Sequence, residues 1–280
     1  MYYDECMHLI STSTLPFQKK CKNNYEILQL LKSVGFEAYD FTMCGFFDND
    51  NFILIKSKDY IQKAKQLREY ADKIGITCNQ AHSIFPSINP NDKNDNVNRI
   101  RLTKRSIKVA SILGAKIIII HPYNNYSGKE NSVWLIPLGE YAKKHHIKIA
   151  IENMWNIDPI NNRIIEAACS TIDDYKDHLS HLDKEVFVAC VDVGHASMMG
   201  KLTNPYDMIK ALSNDVEALH LHSNDLRNDS HEIPFSMDVD FVKIVEALKE
   251  INYQGDFTLE CEKYVFSREN ENIYELAKNM

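Results

Sequence analysis

Six residues able to ligate a metal or move a proton close six successive apolar runs in this 280-residue chain. They are His82 after TCNQA, His121 after IIII, Glu152 after IKIAI, Asp192 after VFVACV, His222 after VEALHL and Glu260 after DFTL. Carboxylates and imidazoles together suit Zn, Mn, Fe or Co, whereas oxygen donors alone suit Mg or Ca. Several carboxylates crowded into one buried mouth are costly unless a cation or protons offset them. The set therefore predicts a divalent-metal centre. More donors lie close by. His195 lies three residues after Asp192 in VDVGHASMMG, and Asp225 comes after His222. Asp229 and His231 form a D-x-H pair, a spacing that can chelate one ion from a turn. His220 is expected one layer below His222, in a supporting role. His145, His146, His178 and His181 are expected near helix ends, facing solvent or the helix dipole. His8 receives no role.

The elements that would carry these residues alternate regularly. Strands are expected at 7–11, 38–42, 77–82, 117–121, 147–152, 186–192, 216–222 and 256–260, with clear helical periodicity at 57–74, 98–113 and 238–251. Gly35, Gly75 and Gly114 stand where helices should end, since glycine closes a helix in the left-handed conformation. Eight strands alternating with helices imply a parallel sheet, and this size fits one closed (β/α)8 barrel spanning 1–280. An open doubly wound sheet would show a Gly-rich turn after its first strand, and STSTLPF has no glycine. The Asn-rich stretch 89–98 reads as a loop. Side chains alternate in direction along a strand. That parity turns Glu152, His220, His222 and Glu260 inward and Ile149, Ile151, Leu219, Leu221 and Leu259 outward. The six strand-end residues then converge at the C-terminal mouth, where barrels of this type place their active sites.

Bulk composition narrows the class. Net charge is -7 and the pI is near 5.9, which argues against a phosphate-wrapping nucleic-acid binder. The seven cysteines include no C-x-x-C pair; they fit reduced thiols in a cytoplasm, neither a disulfide framework nor thiolate zinc ligands. No basic, apolar leader opens the chain and no run approaches 18 apolar residues, so neither a signal peptide nor a membrane span is expected. A homo-oligomer is compatible with this composition.

The segments AYDFTM, NQAHSIFPS, LGAKIIIIHP, IAIENMW, VDVGHASMMG, ALHLHSND with DSHEIP, and INYQGDFTLECE occur in this order between roughly 38 and 262. In that order they resemble the xylose isomerase-like TIM barrels, a superfamily of sugar isomerases and epimerases that includes the endonuclease IV group. The resemblance to the sugar-epimerase branch implies one divalent metal (Zn, Mn or Co) held by Glu152, Asp192, His222 and Glu260. It also implies proton transfer by Glu152 and Glu260, and substrate contact by His195. The ENMW segment adds Asn153 and Trp155 to the expected substrate wall, and Phe46, after the second strand, joins them. The endonuclease IV branch holds three zinc ions with nine ligands, and each has a match here: His82, His121, Glu152, Asp192, His195, His222, Asp229, His231 and Glu260. Two or three ions are thus an open alternative. The surroundings depart from that branch: PYNNYSGK stands after His121 where a Gly-Ser-rich turn is expected. Ser223, where an Asp is usual, and PFSMDVDF, which lacks glycines, depart from the sugar branch. The sequence reads as a metal-dependent isomerase or epimerase of a sugar or sugar phosphate, working through an enediolate. The alternative is a multi-zinc phosphodiesterase acting on abasic DNA or a small phosphoester.

Overall fold

Apolar β-branched runs and glycine-capped amphipathic helices alternate through the computed structural model, which describes residues 8–44 and 52–280. The strands are β1 (Ile10–Ser13), β2 (Ala38–Thr42), β3 (Thr77–His82), β4 (Ile117–Ile120), β5 (Lys148–Glu152), β6 (Asn156–Asp158), β7 (Arg163–Ile165), β8 (Phe187–Asp192), β9 (Val216–Leu221) and β10 (Phe257–Leu259). All but β6 and β7 close into a parallel barrel in the order β1-β2-β3-β4-β5-β8-β9-β10, with β10 pairing back onto β1. β6 and β7 form an antiparallel hairpin between β5 and β8. The α-helices are α1 (Asn24–Ser33), α2 (Tyr60–Ile74), α3 (Lys93–Leu113), α4 (Gly128–Lys143), α5 (Ile172–Ser180), α6 (Val193–Ser197), α7 (Pro205–Leu212), α8 (Phe241–Glu250), α9 (Glu262–Phe266) and α10 (Ile273–Asn279).

Local chemistry explains these boundaries. α2 buries Ala64, Leu67 and Ala71, spaced three and four apart, and stops at Gly75 with φ 72°. α3 stops at Gly114 with φ 89°. Ser127 and Glu130 make a reciprocal capping box at the start of α4. The main core lies between barrel and helices. A smaller apolar layer fills the barrel itself, from Ile119, Ala150, Val188, Cys190 and Ala218. The β1 side of the interior is hydroxylic: Ser11 donates to Thr258 at 2.9 Å, and Ser13 lies 2.9 Å from Thr42.

Two register slips set the aim of side chains at the barrel mouth. Tyr39 pairs with Cys78 and Asp40 with Gln80, so Asn79 is an extra residue on β3. Ala189 pairs with Val216 and Cys190 with Ala218, so Glu217 is extra on β9. Bulges of this kind re-aim the side chains beyond them. Here they lie upstream of His82 and of His220.

Three expectations need correcting. The first strand was expected at 7–11; of the residues described, Ile10–Ser13 form it, because its inward side chains are paired hydroxyls that apolar patterning does not mark. The expected loop 89–98 is helical from Lys93, since Asp92 accepts from the amides of Asn94 and Asp95 and starts α3 early. His178 is buried rather than solvent-facing. Its Nδ1 donates to the Asp174 carbonyl at 2.8 Å and its Nε2 accepts from Asn131 at 3.0 Å, tying α5 to α4. The six cysteines among the described residues are free thiols. Burial pushes Cys78, Cys169, Cys190 and Cys261 up, away from thiolate chemistry.

Candidate metal centre at the barrel mouth

Three buried side chains and the half-buried Glu260 meet where β5, β8, β9 and β10 end. Glu152, Asp192, His220 and Glu260 each bring one donor atom within 4.8 Å of all the others. His220 Nδ1 is central: it lies 3.3 Å from Glu152 Oε1, 3.4 Å from Glu260 Oε2 and 3.8 Å from Asp192 Oδ2. The structure thus places His220, not His222, among the three carboxylates. Parity turned both inward, as expected. The depth was misjudged, because the extra residue Glu217 and the short β10 place the carboxylates level with His220.

His222 belongs to a second group nearer the surface, with His195, Asp229 and His231. Its ring stacks on His231 at 4.0 Å, and its Nε2 lies 3.1 Å from Asp192 Oδ1. Asp192 therefore bridges the groups. One oxygen faces His220 and the other faces His222, while also capping α6 through the His195 amide at 2.7 Å. Gly194 is required beneath this arrangement. A Cβ there would overlap the His222 ring at Cε1, a clash worth about 1–3 kcal/mol or more. Asp229 Oδ2 lies 3.0 Å from His231 Nε2, so the two members of the D-x-H pair are in contact. His231 Nδ1 donates to the Glu260 carbonyl at 2.7 Å, tying the groups together again.

On the β3–β4 side, His121 Nε2 lies 3.0 Å from Glu152 Oε2. His82 lies between Asp40, 2.8 Å from its Nδ1, and Glu260, 3.4 Å from its Nε2. Asp40 carried no signal in the sequence although AYDFT was a recognised segment: it is mid-strand and beyond a slip in register. Glu262, buried beside Glu260 with Oε2 3.0 Å from His231 Nδ1, was missed because it opens α9 rather than ending a strand.

The two glutamates are driven in opposite directions. Burial pushes Glu152 up, but the His220 and His121 imidazoles outweigh it and hold the carboxyl well below its usual range. Burial, with Glu262 and Glu152 beside it, holds Glu260 well above. Burial also opposes the charge of Asp192 and Asp229; His195 and His222 keep the first low, and His231 keeps the second low. His82 is desolvated, yet Asp40 carries it up to about 9. His121 is held down by burial, against the pull of Glu152.

A cavity of about 550 Å³ opens onto the centre. Its floor includes His82, His121, Glu152 and Glu260, and its walls include Phe85, Met154, Trp155 and Phe266. Trp155 and His195 line it. Asn153 does not: its side chain is fully buried and engaged with the backbone of Asp192, accepting from N at 2.7 Å and donating to O at 2.9 Å. It fixes the ends of β5 and β8 against each other. Phe46 lies outside the described residues.

The residues fit a divalent cation. Ligand atoms about 2.1 Å from a tetrahedral ion stand about 3.4 Å apart, which is the spacing of Glu152 and Glu260 from His220 Nδ1. Asp192 Oδ2, Asp229 Oδ1 and both His220 ring nitrogens are buried with no hydrogen-bond partner. Buried polar atoms are ordinarily paired, so a converging set of unpaired ones is a site built for a ligand.

A closed, parallel eight-stranded barrel with helices between its strands defines a TIM barrel. The chain matches the model of the xylose isomerase-like TIM barrel family over residues 28–280 and belongs to that family. An uncharacterized protein of Methanocaldococcus jannaschii, MJ1311, is 26% identical over 229 residues, covering 77% of this chain and 71% of the relative. Among solved structures, a D-tagatose 3-epimerase-like protein is similar with TM-score 0.73 and 23% identity, covering 97% of this chain and 98% of the other. D-psicose 3-epimerase in the presence of D-fructose gives TM-score 0.72 and 14% identity over 97% and 96%. The IolI protein with a binding zinc atom gives TM-score 0.72 and 16% identity over 97% and 95%. At these identities the structural likeness speaks to the fold.

Proposed function

We propose that this protein is a divalent-metal-dependent isomerase or epimerase of a small sugar. One observation carries the reading. Glu152 and Glu260, two carboxyls held at opposite ends of the proton-affinity scale, face one another across His220 on the floor of a sugar-sized cavity. Paired acids pushed apart in this way mark a base and an acid. Glu152, Asp192, His220 and Glu260 would hold the ion. A bound divalent cation supplies Lewis-acid polarisation of the substrate's carbonyl and hydroxyl oxygens. Glu152, kept ionised by its imidazoles, removes the proton from the carbon next to the carbonyl, leaving an enediolate. Glu260, on the other side of His220, returns a proton to the opposite face or to the adjacent carbon. His195 and Trp155 orient the sugar, and Phe85, Met154 and Phe266 exclude water.

Elemental analysis of the purified protein, then a ketose and aldose panel in deuterated water, tests this. One ion of Zn, Mn or Co per chain and deuterium bound to carbon are expected. Failure of every sugar on the panel to take up deuterium would count against the reading. A second reading, a multi-zinc phosphodiesterase, is favoured by the donor groups beyond the central one: His195, His222, Asp229 and His231, and His82, His121 and Glu152. Three zinc ions per chain with cleavage of an abasic-site DNA or a small phosphodiester would establish it instead.

A further inference from the structure

Asp40 is fully buried on β2 and does not face the substrate cavity. Its Oδ2 accepts from Gln80 Nε2 at 2.9 Å and lies 2.8 Å from His82 Nδ1. Its other oxygen has no hydrogen-bond partner. Asp40, His82 and His220 bring donor atoms within 4.8 Å of one another, and the His82 and His220 rings stack at 4.6 Å. His82 thus has one nitrogen turned down to a carboxylate and the other turned up to the reacting carboxyl, Glu260 Oε1 at 3.4 Å. A buried carboxylate 2.8 Å from one ring nitrogen anchors the imidazole and fixes which way its other nitrogen faces. The Asn79 bulge makes this possible by aiming both Gln80 and His82 at Asp40.

We propose that Asp40 is a positioning residue: it holds His82 by Nδ1, so that Nε2 is presented to the centre formed by Glu260 and His220. Asp40 acts through His82 and touches neither substrate nor ion. Part of its test rests on the proposed metal centre, and part does not.

The experiment uses the full chain with Asp40→Asn, Asp40→Leu, His82→Gln and the double variant Asp40→Leu/His82→Gln. Zinc affinity is measured by competition with a chelator, and histidine ring ¹H–¹⁵N correlations are recorded with and without zinc. In the parent, the His82 Nδ1–H gives a slowly exchanging cross peak in both states. Asp40→Leu abolishes that peak and weakens zinc binding about 10- to 100-fold, the range for losing a supporting group outside the ligand set. Asp40→Asn, whose amide oxygen can still accept, keeps the peak and most of the affinity. Because Asp40 acts through His82, the double variant binds zinc no more weakly than His82→Gln alone. Independent, additive losses in the cycle would overturn the proposal, as would an unchanged His82 peak in folded Asp40→Leu. If Asp40→Leu does not fold, loss of the peak in folded Asp40→Asn with full zinc affinity also overturns it. If the parent binds no zinc, the metal reading fails while the cross-peak comparison still decides the role of Asp40.

Discussion

Two cavities of nearly equal volume, about 600 and 550 Å³, open at opposite ends of the barrel. The larger lies at the strand starts, lined by Lys116, Lys148, Glu217, Tyr253 and Asp256 among others. Most of its charges have partners: Lys148 meets Glu217 at 2.5 Å, and Asp256 accepts from the Leu9 amide at 2.9 Å. The smaller lies at the strand ends, and there Glu152 Oε2, Asp192 Oδ2, Asp229 Oδ1 and both His220 ring nitrogens are buried without hydrogen-bond partners. Volume does not separate a site from a gap. Unsatisfied, converging donors do, because burying them is costly unless a ligand completes them. The difference matches the general asymmetry of these barrels, whose N-terminal face serves stability and whose C-terminal face serves chemistry.

The comparison can be sharpened or broken by substitution at each end. The largest effect is expected at the two glutamates. Glu152→Gln and Glu260→Gln should each cut carbon-bound proton exchange by about 100- to 10,000-fold with the fold intact by circular dichroism. Exchange at the parent rate in either variant removes that residue from proton transfer. Next come the histidines that the sequence ranked in the wrong order. His220→Asn should strip the central ion, whereas His222→Asn should spare it and weaken only the outer group. Metal content per chain decides between them, and equal losses would dissolve the distinction between inner and outer sets.

A smaller effect is expected from pH in the chelator-treated protein. His82 is carried from 6.5 up to about 9 by Asp40, against its desolvation, so the folded chain binds its proton more tightly than the unfolded chain. That contribution is complete below about pH 6.5 and is lost as the pH rises to 9. Melting temperature should therefore fall by a few degrees across this window, and more steeply than in His82→Gln. A parallel decline in both proteins would assign the loss to other groups. The smallest effect belongs to the strand-start cavity. Lys148→Met breaks a pair whose side chains are 40% and 35% exposed; it should cost under about 1 kcal/mol and leave proton exchange unchanged. A large loss of exchange would show that the N-terminal end takes part in the chemistry.

The alternation of apolar runs and capped helices was enough, read as sequence, to count the barrel strands and place seven of the eight closely. Hydrophobic periodicity records which face of each element is buried, and glycines record where helices must stop. The same alternation put Glu152, Asp192 and Glu260 at one mouth. The first strand was misplaced because Ser11, Thr12 and Ser13 lie buried as hydroxyls, with Ser11 and Ser13 satisfied by β10 and β2, partners distant in sequence. His220, Asp40, Glu262 and the inward turn of Asn153 were settled only by the tertiary structure. Their positions depend on two bulges and on the relative heights of neighbouring strands. Those are properties of pairing between strands, and no single strand's sequence contains them. The types of side chain that could make a metal centre were therefore written in the chain, while which imidazole stands among the carboxylates was decided by how the strands register.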